Sequence, residues 1–209
     1  MRIAFAGNPN SGKTTMYNAL TGRNEKVGNW AGVTVDKIEA PIKKAYSCGL
    51  ELTAVDLPGA YSMSPFTSEE SVTRDFIQKE HPDAIINIVD ATNLSRSLFF
   101  TTQLMELGVP VVVALNKTDM NQKRGTHIDV NQLSERLGCP VFETISIDSD
   151  NDDLVQVVQA AVKLRGRGQK APYVHEDEDQ TSRTAALEAD KRRFAFVNEL
   201  VRAVEHRRV

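Results

Sequence analysis

Cysteine is scarce. The 209 residues hold only Cys48 and Cys139, far apart and with no CxxC pair, which excludes a disulfide framework and a thiolate zinc site. Both read as reduced thiols of a cytosolic protein. A basic excess is missing as well: 25 Lys and Arg stand against 28 Asp and Glu, a net charge of −3, so the electrostatic footprint of a nucleic-acid binder is absent. Long apolar runs are lacking too. The longest, Val109 to Leu115 (VPVVVAL), is far too short to span a bilayer. The opening MRIAFAG is interrupted at once by glycine, asparagine and proline and does not read as a signal peptide. Tryptophan occurs once, at Trp30. What is present, 41% hydrophobic and 25% charged residues, is an ordinary globular composition, enough for one domain of about 150 residues plus an appendage. The expectation is a soluble, cytosolic chain.

Apolar runs and helical patterns alternate. RIAFA (2–6) reads as a buried strand and KTTMYNAL (13–20) as a helix. Residues 22–35, GRNEKVGNWAGVTV, carry three glycines and little periodicity and read as a mobile loop. DKIEAPIKKAY and LELTAVDL flank SCG, a hairpin signal. TSEESVTRDFIQKE reads as a helix opened by a capping box of Thr67 with Glu70. DAIINIVDA is a strand, LSRSLFFTTQLMELG a helix closed by Gly108, VPVVVALN a strand, VNQLSERLG a helix, PVFETISI a strand and DDLVQVVQAAVKL a helix. This order predicts an α/β fold: a largely parallel sheet covered on both faces, with one antiparallel edge.

Composition shifts near Arg165. Residues 165–183 are polar, mixed in charge and rich in helix breakers, and read as a linker or loosely held segment. The 184–209 stretch places Leu187, Phe194, Val197, Leu200, Val201 and Val204 near one helical face. It reads as a docking helix, or as a helix that contacts a partner. The division expected is 1–164, 165–183 and 184–209.

Three motifs carry chemistry. Gly7-x4-Gly12-Lys13-Thr14 is the full P-loop pattern and stands between a strand and a helix, where its mechanism needs it. Its glycines let backbone N–H groups turn around phosphates, and the helix N-terminus adds its dipole. The cradle comprises Gly7, Asn8, Asn10, Ser11, Gly12, Lys13, Thr14 and Thr15; Lys13 reaches the β- and γ-phosphates and Thr14 ligates Mg²⁺. DLPG (56–59) follows a strand: Asp56 can hold Mg²⁺ through water, and the Gly59 N–H can sense a γ-phosphate. NKTD (116–119) follows the VVVAL strand. Asp119 can accept from guanine N1–H and its 2-amino group, donors that adenine lacks there. Sites built on such bonds discriminate by about 10⁴-fold or more. Asn116 can tie back to the P-loop, and the Lys117 stem can lie along the base.

These motifs in this order resemble the small GTPase superfamily of translation-factor type, from Arg2 to about Leu164. GNPNSGKTT, VGNWAGVTV and DLPGAYSMSPFTSEE together look like the cytosolic G domain of FeoB, the bacterial ferrous iron transporter family. The resemblance implies a Ras-like P-loop GTPase fold: a six-stranded, mostly parallel sheet with helices on both faces, and a small C-terminal helical appendage. It implies GTP and GDP as ligands with Mg²⁺, and Thr34 as the switch I residue on Mg²⁺ and the γ-phosphate. A fifth motif, usually Ser-Ala, aligns with Ser146-Ile147, where Ile147 departs from alanine. Asn10 would ligate K⁺, helped by the backbone carbonyls of Gly28 and Trp30. The implied partner is the membrane-spanning part of the same transporter at the cytoplasmic face of the bacterial inner membrane, with no nucleic acid; self-association is left open.

Where many GTPases carry a water-orienting glutamine after DxxG, this chain has Ala60, and only Arg23 in the loop offers an arginine finger. The expectation is a slow GTPase to which a potassium ion supplies the missing charge, with Asn10, Lys13, Thr34 and Gly59 in the catalytic roles. Two rivals stand beside it: a ribosome- or RNA-associated GTPase, disfavoured by the acidic balance, and a nucleotide-gated interaction module with negligible turnover.

Overall fold

The computed structural model describes residues 1–22, 26–30, 35–63, 68–145, 152–174 and 182–207. Among them the strands are β1 (Arg2–Gly7), β2 (Lys26–Asn29), β3 (Asp36–Pro41), β4 (Thr53–Asp56), β5 (Ala84–Asp90), β6 (Val111–Asn116), β7 (Thr126–Ile128), β8 (Val141–Thr144) and β9 (Glu205–Arg207). The helices are α1 (Lys13–Thr21), α2 (Ser68–Glu80), α3 (Leu94–Met105), α4 (Thr118–Lys123), α5 (Val130–Leu137), α6 (Asp152–Lys163) and α7 (Arg183–Val204), with a 3-10 turn at Ala91–Asn93.

The main sheet runs β2-β3-β4-β1-β5-β6-β8. Pairings from β4 through β8 are parallel, and β2-β3 and β3-β4 are antiparallel. It has seven strands, one more than the sequence suggests. The extra one is β2, inside the stretch read as a mobile loop, where Val27 pairs with Ile38 and Gly28 with Lys37. The capping-box residue Thr67 and the loop arginine Arg23 lie outside the described residues.

Because side chains alternate across a strand, β1 feeds two cores. Ala4 and Ala6 face one that contains residues of α2, α3, α5 and α7. Ile3 and Phe5 face the other, shared with α1 and α6. Burial on both sides explains why β5 and β6 read as unbroken apolar runs. The parallel strands all end on one edge of the sheet, the place where open α/β sheets bind ligands.

The last helix joins the first core through Val197, Leu200 and Val204, each 1% exposed or less; each such side chain contributes about 1.5–3 kcal/mol on leaving water. Leu187 and Phe194, assigned to the same face from spacing, are 56% and 53% exposed instead. The buried side includes Ala189 and Arg193, so at about 100° per residue Leu187 and Phe194 fall well round the helix from its centre. Beyond the helix, β9 pairs with β7 in a two-stranded sheet, and Asp129 N–H donates to the Val204 carbonyl at 2.8 Å. Within the polar 165–183 stretch, Gln169 N–H donates to the Gly108 carbonyl at 2.9 Å and Val111 N–H to Gln169 Oε1 at 3.2 Å. No helix among the described residues is long and apolar enough to cross a membrane.

Candidate functional site

The loop from β1 to α1 is a tight coil whose shape the sequence dictates. Asn10 and Gly12 take the left-handed conformation, with φ of 63° and 96°. Asparagine and glycine are the residues that tolerate it. Ser11 N–H closes the turn on the Asn8 carbonyl at 3.2 Å, and Gly12 heads α1 by accepting from Met16 N–H at 3.0 Å. A Cβ on Gly7 would come within 2.8 Å of Ser11 Oγ and 2.9 Å of the Ile88 carbonyl. One on Gly59 would meet the Pro9 nitrogen at 3.3 Å. A side chain at Gly7 would therefore force the Ile88 backbone to shift, one at Gly59 would need Pro9 to give by a few tenths of an ångström, and Gly59 brings the DLPG turn against the P-loop.

A cleft of about 640 Å³ opens over this loop. It is lined by Asn8, Pro9, Asn10, Gly12, Lys13, Thr14 and Thr15, by Gly59, by Asn116, Lys117, Asp119 and Met120, and by Ile145. Ten of these were expected from the sequence. Pro9, Met120 and Ile145 were not. Gly7 and Ser11 lie beneath it, both buried.

The three motifs are laced together. Lys13, on α1, donates to Asp56 at the end of β4. The residues expected at the phosphates and at Mg²⁺ are thus in direct contact, and both are largely buried. Asn116 Nδ2 donates to the Ser11 carbonyl at 2.9 Å, the tie to the P-loop that the sequence suggested. Lys117, itself left-handed at φ 65°, donates from Nζ to the Asn10 carbonyl at 2.5 Å and to Asp90 at 2.7 Å. Asp119 lies in the first turn of α4, 39% exposed, with only a loose ion pair to Lys123 at 3.7 Å among its described partners. Ala60 is buried, and its N–H donates to the Gly7 carbonyl at 3.2 Å.

The arrangement suits a nucleotide. Two ammonium groups and the N-terminus of α1 give a polyanion its counter-charge inside a chain of net negative charge. Ser11 is 1% exposed, and its Oγ has no hydrogen-bond partner among the described residues. Asn8 Oδ1 is similarly buried and unpartnered among them. Thr14 and Asp56 offer the hard oxygen donors that Mg²⁺ takes.

The donors expected for potassium are split. Asn10 lines the cleft, whereas Gly28 lies on β2 and Trp30 just after it, three strands from β1. Trp30 is buried, edge-on to Phe76 of α2 at 5.2 Å, with the Lys37 ammonium 5.1 Å from its ring centre. Thr34, Ser146 and Ile147 lie outside the described residues. Asp90 was not singled out by its sequence context. The available signal was the one used for Asp56, an aspartate at the carboxyl end of a parallel strand.

Comparisons with known proteins follow this geometry. Residues 1–160 match the family described as ferrous iron transport protein B. The Fe(2+) transporter FeoB of Salmonella typhimurium is 47% identical over 179 residues, which cover 84% of this chain; the chain spans 22% of that relative's length. Among solved structures, a mutant of S. thermophilus NFeoB bound to GDP superposes with a TM-score of 0.82 at 32% identity, over 99% of this chain and 100% of that one. The cytosolic domain of L. pneumophila FeoB gives a TM-score of 0.84 at 27% identity, again over 99% and 100%.

Proposed function

The chain belongs to the ferrous iron transport protein B family, and on that premise we propose that it binds and hydrolyses GTP as the regulatory domain of a ferrous iron transporter. The observation that carries the reading is the lacing of the base motif to the phosphate loop, Asn116 to Ser11 and Lys117 to Asn10. It holds Asp119 in the same cleft as Lys13 and Thr14, so one ligand must satisfy a guanine-type acceptor and a phosphate cradle together. The GDP-bound S. thermophilus relative supports the same choice.

In this reading Asp119 selects guanine, Asn116 and Lys117 brace the base, and the loop amides with Lys13 hold the phosphates. Thr14 and Asp56 would hold Mg²⁺, which supplies charge neutralisation between the phosphates. Thr34 would join them from switch I, Gly59 N–H would sense the γ-phosphate, and Ser146-Ile147 would edge the base. Ala60 offers no side chain to orient water, so intrinsic turnover is slow. Potassium is proposed as activator on Asn10 and the family resemblance; Gly28 and Trp30 stand apart from the cleft. The G domain is taken as 1–164, followed by the 165–183 segment and the 184–209 helical appendage. The rest of the transporter, at the cytoplasmic face of the membrane, is the partner.

Titration of the chain with GTP, GDP and ATP, then phosphate release in potassium and in sodium at equal ionic strength, tests this. Binding confined to guanine nucleotides with slow, potassium-stimulated release is expected. Equal affinity for ATP would overturn the base assignment, and nucleotide binding with no phosphate release would reduce the domain to a gated interaction module.

A further inference from the structure

The turn after β5, Asp90 to Asn93, belongs to none of the motifs that define the cleft, yet it is where they meet. The sheet order puts β5 between β1, which leads into the P-loop, and β6, which leads into the base motif. In register, Ile88 stands beside Gly7 and Asp90 beside Asn116. The Asp90 carboxylate thus emerges between the phosphate and base halves of the site. It does not swing freely. Oδ1 accepts from Thr92 N–H at 2.9 Å and from the Thr92 hydroxyl at 2.6 Å, and the Asp90 N–H donates to Ser97 Oγ at 3.3 Å. The remaining oxygen, Oδ2, faces Lys117 Nζ at 2.7 Å. That ammonium also reaches the Asn10 carbonyl.

We propose that Asp90 is a positioning residue for guanine-nucleotide binding, acting through Lys117. The inference rests on the nucleotide reading given above. A lysine ammonium on a four-carbon stem has large rotamer freedom, most of which must be surrendered when it lies along a base. Asp90 removes that freedom before the nucleotide arrives, which is the general route by which preorganisation raises affinity. The same clamp also fixes the phosphate loop. With its carbonyl held by Lys117, the left-handed Asn10 peptide keeps that oxygen engaged and away from incoming phosphate oxygens, which it would repel. Base recognition and the shape of the phosphate loop are therefore coupled through one ammonium, and the carboxylate that aims it lies on a third element.

Asp90→Asn separates this role from helix capping, because the amide oxygen can still accept from Thr92 while the amide NH₂ replaces Oδ2 against the ammonium. Release of a fluorescent GDP analogue should become about tenfold faster, as expected for the loss of a partly exposed charge-assisted hydrogen bond. The thermal midpoint should stay near wild type. In a Lys117→Ala background, Asp90→Asn should add nothing. Thr92→Val, which removes only the hydroxyl bond to the same carboxylate, should release nucleotide like wild type. Wild-type release by Asp90→Asn, or an undiminished further loss in the Lys117→Ala background, overturns the proposal. Wild-type protein that binds no guanine nucleotide overturns instead the reading on which it rests.

Discussion

Arg193 of α7 reaches Glu106, at the C-terminal end of α3, and donates to its carboxylate from Nη2 at 2.7 Å and from Nε at 3.2 and 3.3 Å. The arginine is 3% exposed. Asp190 takes its other terminal nitrogen at 2.7 Å, and the Tyr173 hydroxyl donates to the same glutamate at 2.8 Å. Burial, and next to it the Glu106 charge, push the Tyr173 hydroxyl pKa well above its ordinary value. Next to this cluster, Phe99 of α3 stacks on Phe194 of α7 with ring centres 4.4 Å apart. The C-terminal helix is thereby fastened to the body that carries the cleft by a buried ionic cluster as well as by its apolar face.

Removing Glu106 leaves the buried Arg193 guanidinium with Asp190 as its remaining carboxylate partner among the described residues and most of its donors on the α3 side unmet. Glu106→Ala should cost about 3 kcal/mol of unfolding free energy, measured as a lowered denaturant midpoint. The double replacement Glu106→Leu with Arg193→Met should recover most of that loss, because no buried charge is left behind. A double variant as unstable as the single one would show that packing, and not the stranded charge, sets the cost.

Asp119 has its acceptors on the cleft. Asp119→Asn should weaken GTP by about 3 kcal/mol, more than about 100-fold, and favour xanthosine triphosphate, which presents a carbonyl where guanine presents its amino group. Titration of both nucleotides against both proteins reads this directly; unchanged GTP affinity would remove Asp119 from the base site.

Asn10 sits at φ 63°, where a side chain other than asparagine adds about 1–2 kcal/mol of backbone strain. Asn10→Gly therefore deletes the carboxamide without that strain and keeps the carbonyl that Lys117 holds. The expected result is loss of the potassium-over-sodium advantage in phosphate release with GTP affinity nearly intact. A potassium advantage that survives the change would relieve Asn10 of the role.

Trp30 is buried on Phe76, so its emission without nucleotide should be blue-shifted and poorly quenched by acrylamide. A GTP analogue with Mg²⁺ should shift and expose it more than GDP does, because the adjoining switch segment is expected to rearrange around the γ-phosphate. Identical spectra and quenching with both nucleotides would count against such a rearrangement.

Burial pushes the Cys139 thiol up to about 12, while Cys48 is exposed. Since the thiolate is the nucleophile, one thiol per native chain should react with a disulfide reagent at about pH 8 and the second only on unfolding. Two equally fast thiols would mean that the α5–β8 corner opens readily.

The make-up of the cleft was legible because it is written in local spacing. A P-loop is one short stretch of chain, and Gly7, Gly12, Lys13 and Thr14 need only the strand before and the helix after to be brought together. The parallel strands and covering helices were legible for a similar reason: burial on both faces imposes apolar runs, and burial on one imposes a helical period. Those signals are properties of the segment itself.

Other features are properties of pairs of segments. β2, β7 and β9 span four, three and three residues, too short to show a period, and each draws its hydrogen bonds from a partner that the local sequence does not name; β7 and β9 lie at opposite ends of the second half of the chain. Spacing placed Leu187 and Phe194 on the inner face of α7, but which arc of a helix is inner depends on where α3 and α5 lie, and Arg193, a residue no hydrophobic pattern would select, proved to be inside. Asp90 was one aspartate among many until the strand order set β5 between the phosphate and base strands. The sequence alone determined which groups could line a cleft of this chemistry; the tertiary structure decided which of them touch, Asp90 with Lys117 and Lys13 with Asp56, because contact depends on distances between strands that are far apart in the chain.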